Sequence, residues 1–159
     1  MSASRLEDIK AFLRLSDTLG TAGQPTEAQF AAVKDAGFDI VVNLALTTSS
    51  GALPDERAVV SKLGMEYVHL PVNWDAPMVE DAARFFEVMD ANRDKHCFVH
   101  CAANMRVSAF VYLYRVLRRG VADEDAARDL HRIWVPEGGW QRFIEAVRRA
   151  EEKGEGTPE

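Results

Sequence analysis

The chain has 159 residues, 47% of them hydrophobic and 28% charged, with a net charge of −6. That suits one globular domain whose core needs no disulfide or metal staple, and the acidic balance, with an isoelectric point near 5.3, disfavours nucleic acid and anionic membrane as partners. No apolar run approaches the roughly 18 residues of a membrane span, residues 1–10 lack the pattern of a secretory signal, and two cysteines without one are expected to be free thiols in a reducing, cytoplasmic setting.

In chain order, residues 4–15 read as an amphipathic helix with Leu6, Ile9, Phe12 and Leu13 on one side. Residues 19–23 read as a short strand before the turn Gln24-Pro25. Thr26 caps a helix over 27–36 that carries Phe30 and Val33 inward and stops at Gly37. The continuous apolar run 40–44 reads as a strand buried on both faces. A loop follows over 47–53, then a helix over 54–63 ending at Gly64, a strand over 65–72 and a loop over 73–77. A helix over 79–91, a strand over 96–100 and a helix over 105–118 ended by Gly120 come next, then helices over 122–133 and 139–152. Residues 153–159 are expected to form a frayed tail. Strands alternating with helices predict one α/β domain over 1–152, with a central four- to five-stranded, mostly parallel sheet flanked by helices. The loops 47–53, 73–77 and the one opening at Cys101 then converge at the carboxyl edge of the sheet, where such folds carry their sites.

Between the strand 96–100 and the helix 105–118 stands Cys101-Ala102-Ala103-Asn104-Met105-Arg106. A helix N-terminus offers unpaired N–H groups and a positive dipole end that hold an oxyanion. The same field favours the thiolate of a cysteine placed there, the nucleophilic form. Arginine adds a planar fork matched to two oxygens of a phosphate or sulfate, and at a helix start, where a cation is disfavoured, an anion would offset its cost. Cys101 is therefore the candidate nucleophile, Arg106 the candidate clamp, and Ala102, Ala103, Asn104, Met105 and Arg106 the candidate anion-binding loop.

With His100-Cys101 through Arg106 and Ser108 in view, the chain resembles the cysteine-dependent tyrosine and dual-specificity phosphatases. It is most similar to the small bacterial phosphatase-like domains sometimes fused to metallo-hydrolases of the β-lactamase-like kind. The turn Thr21-Ala22-Gly23-Gln24-Pro25-Thr26 and the run Val41-Val42-Asn43-Leu44 resemble the start of those domains, and the resemblance covers residues 18–118. It departs from the usual signature at one point: four residues, not five, separate Cys101 from Arg106. Asn104 stands where the usual glycine would, Val107 where the arginine would, and Ser108 keeps the hydroxyl position. The shorter interval also occurs in those bacterial domains and in sulfur-transferring rhodanese domains.

The resemblance implies a cysteinyl-phosphate phosphatase that needs no cofactor. It implies that Asp75, in Asn73-Trp74-Asp75-Ala76-Pro77, is the general acid. Glu80 and Asp81 are neighbours that could serve instead. It implies that His100 supports the cysteine through the backbone around it, and that Ser108 stabilises the leaving thiolate. A core histidine and a backbone-bonded first-turn serine are the plainer readings of those two residues. The substrate would be a phosphorylated protein or a small phosphorylated metabolite, without nucleic acid or membrane as partner. A rhodanese-like sulfurtransferase, for which Asp75 is dispensable, and a catalytically weak phosphate-binding domain stay open.

Strand alternation points His96 and His100 one way and Cys97 the other, so the cluster is not expected to hold a metal. Four strand residues span about 13 Å, beyond the roughly 7 Å reach of a disulfide, which leaves Cys97 to core packing. Trp134 and Trp140 read as aromatic packing, and Gln141 as a candidate for positioning water.

Overall fold

The computed structural model describes residues 5–155. Five strands form one sheet: β1 (Leu13–Ser16), β2 (Leu19–Ala22), β3 (Ile40–Asn43), β4 (Glu66–His69) and β5 (Cys97–His100). Their spatial order is β1-β2-β5-β3-β4, with β1 antiparallel to β2 and every other pairing parallel. Six helices flank it: α1 (Glu27–Asp35), α2 (Glu56–Lys62), α3 (Val79–Ala91), α4 (Met105–Arg118), α5 (Asp123–His131) and α6 (Gly139–Glu155). This is the mostly parallel sheet with flanking helices that the alternation predicts, and α3 and α4 coincide with their predicted spans.

The two faces of the sheet follow from the period of two along each strand. Ile40, Val42, Cys97 and Val99 point into one core with Phe85, Phe86, Phe110, Leu113 and Phe143. Val41 and Phe98 point into the other with Phe30, Val33, Phe38 and Val60. His100, two residues on from Phe98, shares its face and meets the edge of Phe30. β5 runs between β2 and β3, with His100 opposite Ala22 on one side and Asn43 on the other. What leaves the carboxyl end of β5 therefore emerges at the middle of the sheet.

The N-terminal segment differs from its predicted helix over 4–15; Ser4 lies outside the described residues. A 3-10 turn over Leu6–Asp8 is followed by β1. Ala11 adopts a left-handed φ of 54°, which no helix continues. From there the side chains alternate, Leu13 buried and Arg14 exposed, and Leu13 pairs with Thr21 of β2. Edge pairing to β2 prevails over a short apolar period. The strand predicted over 65–72 is regular only to His69; Pro71 has no N–H to give, yet Leu70 and Val72 still donate to Asn43 and Leu44 at 2.9 Å. The last helix passes the predicted end at 152 and runs to Glu155. Among the described residues no helix is long and apolar enough to cross a membrane.

Candidate active site

Cys101 follows the last residue of β5, is buried, and donates its N–H to the Ala22 carbonyl at 3.2 Å. The chain then folds back against the β2–α1 connection, where the Gln24 N–H donates to the Ala102 carbonyl at 3.0 Å. Gly23 permits that approach, since a Cβ there would stand 2.6 Å from the Ala102 oxygen. Asn104 is the N-cap of α4 and holds a left-handed φ of 66°. Asparagine tolerates this conformation better than most side-chain-bearing residues, so it can replace the usual glycine. Its amide donates to the Ala11 carbonyl at 2.9 Å and to Thr21 Oγ1 at 3.1 Å, which fastens the loop to β2 and to the turn before β1. Within the described residues, the N–H groups of Ala102, Ala103, Met105 and Arg106 donate to no protein oxygen.

Arg106, in the first turn of α4, is 6% exposed. It donates from Nη1 to the Val72 carbonyl at 2.9 Å and from Nη2 to Ser49 Oγ at 3.4 Å. It therefore joins the three loops at the carboxyl ends of β3, β4 and β5. Both acceptors are neutral, and no carboxylate among the described residues pairs with it. A buried guanidinium without an anion is costly, and this one sits at the unfavourable end of a helix dipole.

His100 is fully buried. Its Nδ1 donates to the Cys101 carbonyl at 3.2 Å, and its Nε2 lies 2.5 Å from Glu56 Oε2. Glu56 Oε1 accepts from Gln24 Nε2 at 2.8 Å. Burial pushes the Glu56 carboxyl up, but hydrogen bonds and charge from His100, with Gln24 and Tyr67, outweigh it and hold the group below the usual glutamate value. Tyr67, whose hydroxyl accepts from Asn43 Nδ2 at 3.0 Å, is itself pushed well up, first by burial. Sequence reasoning passed over Glu56 and Ser49. Glu56 reads as an ordinary first-turn acid after the N-cap Asp55, and its partner lies 44 residues away.

Asp75 is exposed, and its carboxylate has no partner among the described residues. Its backbone is tethered: the Asp75 N–H donates to Asn73 Oδ1 at 2.9 Å, and the preceding carbonyl, of Trp74, accepts from Trp140 Nε1 at 2.9 Å. The Trp74 ring packs on Trp134 and Trp140, with centroids 5.4 and 5.2 Å apart. Trp134 Nε1 donates to the Met105 carbonyl and to Ser108 Oγ, both at 3.0 Å. The tryptophans thus pack together, and they also tie the loop over 73–77 to the start of α4. Ser108 Oγ donates to the Met105 carbonyl at 3.0 Å, the backbone engagement of a first-turn serine. Of the alternatives to Asp75, Asp81 is buried and occupied by the Met78 N–H and Arg84, while Glu80 is exposed on the first turn of α3. Gln141 is exposed on α6 and makes no side-chain hydrogen bond among the described residues.

Cys97 and Cys101 are free thiols. The Cys97 thiol, at the other end of β5, is pushed up to about 11, chiefly by burial. Among the described residues no three metal-binding side chains come together.

A central strand that delivers a cysteine-to-arginine loop into a helix N-terminus is the arrangement that the resemblance to the cysteine-dependent tyrosine and dual-specificity phosphatases implies. The family described as DSP-PTPase phosphatase fused to NAD+ kinase matches residues 8–148, and the chain belongs to this family. A protein from Shewanella putrefaciens CN-32 classed as a DUF442 phosphatase is 36% identical, with a TM-score of 0.83 over 94% of this chain and 99% of that one. Two more distant structures share the fold alone. PTPMT1 in complex with PI(5)P is 14% identical, with a TM-score of 0.74 over 90% of this chain and 97% of that one. TpbA of P. aeruginosa in complex with pTyr is 18% identical, with a TM-score of 0.60 over 86% and 90%. No curated protein matches the chain.

Proposed function

We propose that the protein is a metal-independent phosphomonoesterase that works through a cysteinyl-phosphate. The observation that carries this is the buried Arg106 guanidinium, held by neutral acceptors beside a loop of unengaged N–H groups that follows a cysteine. A tetrahedral dianion in that loop would supply the missing negative charge and accept from Ala102, Ala103, Met105, Arg106 and the guanidinium.

In the first step the Cys101 thiolate attacks phosphorus, an S–P bond forms and the bond from phosphorus to the ester oxygen breaks. Asp75, as the acid, gives its proton to the departing oxygen. In the second step water attacks phosphorus, Asp75 takes a proton from it, the S–P bond breaks, and inorganic phosphate leaves with the thiolate restored. Phosphate contacts strengthen as charge spreads over the equatorial oxygens. The substrate class is a phosphate ester of an alcohol or phenol, on a protein or on a small metabolite. The structures of TpbA with pTyr and PTPMT1 with PI(5)P hold ligands of that class.

The test is hydrolysis of a chromogenic aryl phosphate in EDTA. Cys101→Ser is expected to abolish turnover, and Asp75→Asn to lower kcat by about a hundredfold, the weight of a general acid. Turnover that survives Cys101→Ser overturns the reading. A parent that transfers sulfur from thiosulfate to cyanide and does not cleave the ester would place it with the sulfurtransferases instead.

A further inference from the structure

We infer that Glu56 is a positioning residue for the anion cradle: its two carboxylate oxygens clamp His100 and Gln24, and through them orient the peptide groups after Cys101 and Ala102. The inference rests on the phosphate-site reading above and deepens it. It begins with the hydrogen bonds of His100. The Cys101 carbonyl can only accept, so His100 Nδ1 carries a hydrogen. On the other side of the ring, Nε2 meets Glu56 Oε2 at 2.5 Å. Glu56 and His100 form a buried hydrogen-bonded pair behind the loop. The second carboxylate oxygen takes the Gln24 amide at 2.8 Å. The other polar groups facing this pair are Tyr67 of β4, Asn43 of β3 and Cys101 itself. Phe30 and Phe98 close its apolar side.

The geometric consequence concerns the peptide units. In a trans peptide the C=O and the following N–H point in opposite directions. His100 draws the Cys101 carbonyl back toward α2, so the Ala102 N–H faces away from it, into the loop. The Gln24 N–H draws the Ala102 carbonyl back at 3.0 Å, so the Ala103 N–H faces the same way. These two N–H groups donate to no protein oxygen among the described residues. One carboxylate, supplied by a helix far from the loop in sequence, thus sets the aim of two of the cradle's donors. The N–H groups of Met105 and Arg106 belong to the first turn of α4 and do not depend on it.

The test uses inorganic phosphate and 15N-labelled protein carrying Cys101→Ser. Phosphate is expected to move the amide protons of Ala102, Ala103, Met105 and Arg106 downfield. Adding Glu56→Gln should weaken phosphate about tenfold, the expected weight of one charge-assisted hydrogen-bond system. At saturation it should at least halve the shifts of Ala102 and Ala103 and leave those of Met105 and Arg106 in place. A general loss of stability would not separate the two pairs. An unchanged affinity with unchanged Ala102 and Ala103 shifts overturns the inference. If phosphate moves none of the four amides in the Cys101→Ser protein itself, the site reading fails and the inference falls with it. Should Glu56→Gln fail to fold, Gln24→Met removes the arm to Oε1, together with the local bond to the Pro25 carbonyl, and keeps the Gln24 N–H. It should weaken phosphate about threefold, within the range of one neutral hydrogen bond, and no change would overturn the inference.

Discussion

The cysteine loop and the acid loop, which the proposed reaction brings together, are built in opposite ways. Residues 101–106 are fixed from behind by buried polar groups: Glu56 with His100, Gln24 on Ala102, Asn104 on Thr21. The acid loop lies on the surface and is fastened by indole N–H groups and ring packing, while the Asp75 carboxylate stays in water. Anion binding asks for donors that do not reorganise when charge develops. Proton transfer asks for a group that can change state and meet a varied leaving oxygen. In the proposed reaction, a buried cradle and a latched, solvated acid would answer those two demands separately.

The largest expected effect breaks the cradle side. Arg106→Lys keeps the charge and loses the planar fork and its ties to Val72 and Ser49. It should lower kcat/KM for an aryl phosphate by about a hundredfold, as loss of a transition-state donor does. An effect below threefold would mean that Arg106 only braces the three loops.

On the acid side, Trp140→Phe preserves the ring and removes the donor to the Trp74 carbonyl. The expected loss in kcat is about fivefold, equal to one hydrogen bond of about 1 kcal/mol. It should vanish when Asp75 is already Asn, because the latch acts through that residue. Equal losses in both backgrounds would detach Trp140 from proton transfer.

The buried pair also has a signature in stability. Glu56 titrates below its ordinary value of 4.5 when folded. Its contribution is therefore complete above pH 4.5 and drains away as pH falls through the lower folded value. The melting temperature of the parent should decline on acidification from about 4.5, and that of Glu56→Gln should decline less. Parallel declines would contradict an ionised Glu56 in the fold.

The smallest effect compares the two ends of β5. Cys97 lies at its start, buried, with its thiol pushed up to about 11, so almost none of it is thiolate near neutral pH. Cys97→Ser should leave aryl phosphate turnover within about twofold of the parent, given its distance from the chemistry. A large loss would make this end part of the site.

Local pattern made the centre of this arrangement readable. The strand, the cysteine and the helix start are contiguous, so the spacing from Cys101 to Arg106 carried the fold and the family. The same applies to α3, whose apolar residues recur with helical period over its whole length. Residues 4–15 misled because Leu6, Ile9, Phe12 and Leu13 satisfy a helical period, while the deciding facts are Ala11's left-handed backbone and pairing to β2. Glu56, Gln24 and Ser49 meet His100, Ala102 and Arg106 across long separations, through groups whose local roles look generic. Asn104 shows in sequence only as a departure from the usual glycine; its φ of 66° and its two hydrogen bonds make it a fastening.

The central claim is that phosphorus passes through Cys101. The most direct measurement mixes the Asp75→Asn protein with an aryl phosphate, quenches in denaturant during turnover, and maps the modification by mass spectrometry. The account predicts one phosphoryl group on the peptide that contains Cys101, formed in step with the first release of phenol. Phenol released with no adduct on Cys101, or with the phosphoryl group on another residue, would contradict it.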